Sequence, residues 1–99
     1  MNPTLSDKLT SHFPWFNLYC ECPDEWFELI FNLLREIDDY YFDLGMEVGI
    51  VPLQCKEKYN QLRFYYGILD DENYENDVQL IVDRYELASY NYIKEDIKL

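Results

Sequence analysis

Apolar residues recur at steps of three and four between positions 26 and 44: Trp26, Leu29, Ile30, Leu33, Ile37, Tyr40, Tyr41 and Leu44. This spacing puts them on one face of an α-helix, with Glu28, Asn32, Arg35, Glu36, Asp39 and Asp43 falling largely on the other. Cys22-Pro23-Asp24-Glu25 predicts the start, with Pro at the first helical position and carboxylates in the first turn. Gly45 stands where a left-handed C-cap belongs.

After that helix the period changes from 3.6 to two. Val51, Leu53 and Cys55 alternate with Pro52, Gln54 and Lys56, and Leu62, Phe64 and Tyr66 alternate with Arg63 and Tyr65. Between them, Lys58-Tyr59-Asn60-Gln61 can turn the chain, because Asn tolerates positive φ. The pattern predicts a hairpin of roughly 50–58 and 61–68, with Pro52 near a strand start or on an edge. A hairpin alone is marginal in water, so a third strand is expected, and 17–22 is the best candidate.

Thr4 followed by Asp7 is a capping signal for a short helix over about 5–12, which Pro14 ends; 13–22 then reads as an extended or irregular, aromatic-rich connector. Residues 70–77 read as a polar, acidic loop. A second long helix follows, from about Asn73 or Asn76 to about Lys94, on which Val78, Ile81, Val82, Tyr85, Ala88 and Tyr92 keep the helical period. Together these elements predict one α+β domain over 1–99: two long amphipathic helices and a short N-terminal helix packed on a small antiparallel sheet.

Composition adds a charge argument. Twenty acids face eight bases, for a net charge of −12, yet 48% of the 99 residues are apolar and 18 are aromatic. A disordered acidic tail would lack those aromatics, so the charge sits on a folded body. Such a body repels nucleic acid and anionic membrane and attracts basic protein surfaces. No stretch approaches the roughly 20 apolar residues of a membrane span. The N-terminal stretch does not have the plan of a secretory signal, and a cytoplasmic location is expected. Three cysteines, an odd number, fit reduced thiols better than a disulfide framework.

No catalytic apparatus is legible. There is no Gly-rich phosphate loop, nucleophile elbow or paired-His motif, so no enzyme and no catalytic residue is expected. Cys20, Cys22, Cys55 and His12 lack the spacing of a four-ligand zinc site, and neither metal nor cofactor is expected. The bland reading of Cys20 and Cys22 is a pair of small hydrophobes on one side of an extended segment. His12, the lone histidine, precedes Phe13-Pro14 at a helix end, where a partly positive imidazole is favourable.

The acids are segregated. Residues 21–47 carry nine against Arg35 alone, and 70–86 carry seven against Arg84 alone, while Lys56, Lys58 and Arg63 gather in the hairpin. Asp70, Asp71 and Glu72 near a helix start are locally favourable; Asp38, Asp39 and Asp43 near a helix end are not. A solvated face explains the charge in general but not its place at the wrong helix end. The candidate partner-binding set is therefore Glu36, Asp38, Asp39, Tyr40, Tyr41, Asp43 and Glu47, with Asp70, Asp71, Glu72, Tyr74 and Glu75. Burial of Tyr40 and Tyr41 in the core is the competing account of those two.

Three stretches, Lys8-Leu9 with Phe13-Pro14, then 21–30 (ECPDEWFELI), then 54–65 (QCKEKYNQLRFY), resemble a family of short proteins of phages and bacteria. Its pattern is roughly ECGDGWxxLI followed by QVKEKFGxLRFY, and the resemblance spans about 5–68. Pro23-Asp24-Glu25-Trp26 stands where the family has Gly-Asp-Gly-Trp, and Tyr59-Asn60 where it has Phe-Gly. The Cys-x-x-Cys tail of many members is absent, so no metal site is implied. The resemblance supports the fold outline and implies a setting in mobile and defence-related genomes. The expected function is a small acidic binding protein that inhibits a basic partner, foremost an immunity protein against a toxin nuclease. Alternatives are a phage counter-defence DNA mimic and a self-associating structural or adaptor module, with a homodimer possible for the latter.

Overall fold

The computed structural model describes residues 1–69 and 74–98, with side chains through 90. The elements run α1 (Pro3–His12), a 3-10 turn (Asp24–Trp26), α2 (Phe27–Asp43), β1 (Ile50–Lys58), β2 (Gln61–Ile68) and α3 (Glu75–Lys98). This is the expected α+β arrangement.

The first helix starts earlier than its Thr4–Asp7 signal suggests, because Asn2 is the cap. Its side chain accepts the Thr4 N–H at 2.8 Å, and Pro3 fills a position where no donor is needed. The Asn2 N–H in turn reaches Asp24 Oδ1 at 2.7 Å, tying α1 to the start of the next helical segment. Pro23 is not itself helical: it is extended, with ψ of 149°, and one 3-10 turn precedes α2.

Helix α2 buries Leu29, Ile30, Leu33, Leu34, Ile37 and Tyr41. Leu34 joins the expected face, whereas Leu44 leaves it at 41% exposure. The end is a Schellman turn. Gly45 adopts φ 71°, its N–H bonds to Phe42 O at 2.9 Å, and the Met46 N–H reaches back to Tyr41 O at 3.0 Å.

The hairpin has the expected bounds and a turn with positive φ at both Tyr59 (55°) and Asn60 (64°). Pairing runs Pro52 with Tyr66 and then Gln54 with Tyr65, so Leu53 is an extra, unpaired residue. That bulge overturns the expected alternation in β1. Val51 and Leu53 point outward at 38% and 62% exposure, while Ile50 and Cys55 are buried.

The third strand is not formed. Residues 13–22 supply only a single parallel bridge, in which the Glu21 N–H donates to Cys55 O and the Glu57 N–H to Glu21 O, each at 3.0 Å. The sheet therefore has two strands. What completes it is a helix: α3 packs on both β2 and α2. The buried Ser89 accepts the Leu62 N–H at 2.8 Å, and Glu86 Oε2 accepts that of Phe64 at 2.9 Å. Val78, Ile81 and Val82 of α3 meet Leu9, Phe13, Phe16, Trp26 and the α2 stripe in one core, with Phe16 stacked on Phe64.

Candidate partner-binding surface

The candidate residues of α2 divide by what each carboxylate already holds. Glu36 is engaged: it pairs with Arg84 and accepts the Tyr85 hydroxyl at 3.0 Å, clamping α2 to α3. Asp38 accepts the Trp15 indole N–H at 3.1 Å. Asp39 stands 4.0 Å from Arg35 one turn earlier, with both side chains 66% exposed, an ion pair of small consequence in water. Asp43 and Glu47 make no ion pair among the described residues.

The tyrosines also separate. Tyr41 is fully buried, so the structure moves it from the candidate surface to the core. Packing explains why: it lies on the same stripe as Ile30, Leu33 and Ile37, one of the two accounts open from sequence. Tyr40 is half-buried and donates to Asp77 Oδ2 at 2.7 Å, while its ring meets that of Tyr74 at 6.5 Å. Desolvation and the Asp77 carboxylate together push the Tyr40 phenol up to about 12. Helices α2 and α3 therefore bring Tyr40 of one candidate run beside Tyr74 of the other. Glu75 turns away and lines a groove of about 650 Å³ along β2, with Gln79 and Glu86. Asp70, Asp71 and Glu72 lie outside the described residues.

The centre of the surface is Phe42. It is 80% exposed on the polar face of α2, with Asp39 and Asp43 beside it on the same helix. Behind it a hollow of about 340 Å³ is lined by Trp15, Asp38, Phe42, Met46, Glu47 and Val48. The Schellman turn builds this hollow by sending 46–48 back along the helix end. Asp39 and Asp43 flank this exposed aromatic along the helix and Glu47 lines the hollow with it, where the helix dipole is already negative. Among the described residues Arg35 is the one base paired with any of these three acids. Sequence reasoning placed the acids but not Phe42 as their centre. A signal existed: Phe42 lies seven residues beyond Arg35 and three beyond Asp39, on the face assigned to charge.

The remaining chemistry-bearing residues lie elsewhere. His12 is exposed at the end of α1, its ring 4.7 Å from Phe13 and 4.8 Å from Phe31. Cys20, Cys22 and Cys55 are all buried, with their thiols free. Among the described residues, no three His, Cys, Asp or Glu side chains are arranged to hold a metal ion, and no helix is long and apolar enough to cross a membrane. Comparison with protein families, curated proteins and solved structures finds no match for this chain.

Proposed function

We propose that this protein is a small acidic binding protein that inhibits a basic partner, foremost an immunity protein that neutralises a toxin nuclease. The observation that carries the reading is Phe42, 80% exposed among Asp39, Asp43 and Glu47. A solvated acidic face gains nothing from an exposed phenylalanine. A docking face does, because an aromatic anchor supplies buried area and the carboxylates around it supply orientation and a fast, salt-sensitive encounter. In this reading Phe42 enters a pocket of the partner. Asp39, Asp43 and Glu47 meet the lysines and arginines that would otherwise hold phosphates. The sequence resemblance described above would set such an inhibitor in mobile and defence-related genomes.

Affinity capture from the native cell tests the reading. Recovery of a basic protein is expected. Asp39→Lys with Asp43→Lys should slow its association at least tenfold at low salt, and Phe42→Ala should speed its release. Binding that survives both changes would refute this surface. A second reading, self-association, is favoured by one observation: Val51, Leu53 and Tyr65 expose apolar area on the hairpin. Sedimentation at rising concentration separates the two, since a concentration-independent monomer removes the second.

A further inference from the structure

The single parallel bridge at Glu21 does more than hold the connector. Adjacent strands lie about 4.8 Å apart, within the Cα separation that a disulfide spans. The Glu21 N–H bonds to Cys55 O, so Cys20 and Cys55 are lateral neighbours, and their sulfurs are 3.4 Å apart in the core. Cys22, two residues on, turns to the same side. We propose that Cys20 and Cys55 are a built-in oxidation site, closing to a disulfide that fastens the connector to β1.

The local chemistry favours this pair. Hydrogen bonding with Cys22 and Cys55 holds the Cys20 thiol below the ordinary range, while the Cys22 and Cys55 thiols are raised. Cys20 is then the nucleophile, with Cys55 in contact to resolve it. Exposure selects the oxidant. Cys20 and Cys55 are 0% and 1% exposed and Cys22 is 5%, so a bulky disulfide has no approach, whereas a hydroperoxide of near-water size enters through local opening. The Cys20 thiolate attacks the hydroperoxide, taking one oxygen to become a sulfenic acid and releasing water (or an alcohol) once the departing oxygen gains a proton. The Cys55 thiol then attacks that sulfur. The S–S bond forms, the S–O bond breaks, and the hydroxide leaves as water with the Cys55 proton. Two thiols lose two electrons, and the hydroperoxide gains them.

The test treats the folded protein with hydrogen peroxide, blocks remaining thiols in denaturant, and maps the peptides by mass spectrometry. The expected product has lost two hydrogens, regains them with a reducing agent, and carries a Cys20–Cys55 cross-link with Cys22 blocked. Cys22→Ala should still close the bond, and Cys55→Ala should abolish it. A bond that uses Cys22 in the native chain would overturn the proposal. So would stepwise oxygen addition without a cross-link, or a folded protein inert under conditions that oxidise the urea-unfolded chain.

Discussion

The Tyr40 hydroxyl of α2 donates a hydrogen bond to Asp77 Oδ2 of α3 at 2.7 Å, and this bond sits where the two long helices converge. Tyr66 is likewise pushed up to about 12, chiefly by burial, and Tyr85 is raised by burial and its bond to Glu36. A phenol whose pKa is higher folded than unfolded contributes stability that is full below the unfolded value. The contribution is lost as pH climbs through the folded one. Melting temperature should therefore fall as pH rises from about 10 to about 12. Phenolate absorbance should show these tyrosines ionising late, and Asp77→Asn should bring Tyr40 part of the way back. Tyrosine ionisation that is complete before the melting temperature moves would contradict this account.

Ser89 joins strand to helix. It is fully buried, accepts the Leu62 N–H at 2.8 Å and donates to Glu86 O at 2.6 Å. Ser89→Ala leaves a buried backbone donor without its partner, which costs about 1–3 kcal/mol. Urea unfolding should show the loss as a lower midpoint at unchanged slope.

The bulge makes an opposed pair of predictions. Leu33 has 0% exposure and Leu53 has 62%. Leu33→Ala should cost about 2–5 kcal/mol through lost burial and a cavity, whereas Leu53→Ala should stay within about 0.5 kcal/mol. Equal effects in chemical denaturation would contradict an outward-pointing Leu53.

Tyr59 occupies a left-handed position at φ 55° while 82% of its surface is exposed, with the Lys58 ammonium 5.6 Å from its ring centre. Such a conformation suits Asn or Gly better than an aromatic residue. Tyr59→Asn should raise stability by roughly 0.5–1 kcal/mol, read from the thermal midpoint, with the hairpin amide shifts otherwise preserved.

The period along the chain was enough to place α2 and both strands, because each buries one face against a single core. Gly45 and Tyr59-Asn60 marked their turns through backbone conformations that few residues adopt. What escaped depended on contacts between distant segments. Asn2 caps α1, but its bond to Asp24 crosses 22 positions. The bulge at Leu53 reverses an alternation that looked regular as sequence. The strand expected at 17–22 rests on the need to complete a hairpin, and a helix meets that need through Ser89 and Glu86. At the candidate surface, charge position was readable at Asp39, Asp43 and Glu47. Which acids were already occupied was not, since Trp15 and Arg84 reach Asp38 and Glu36 from far along the chain.

The side chains that α3 lays against β2 also protect the molecule from its own kind. A two-stranded ribbon ordinarily invites a stranger's strand to pair with it, the first step toward fibrils. Here Leu62 and Phe64 have already spent their donors on Ser89 and Glu86, while Pro52 has none to offer and Leu53 breaks the straight run of β1. A sheet this small escapes templated growth because a helix, rather than another strand, occupies its open side.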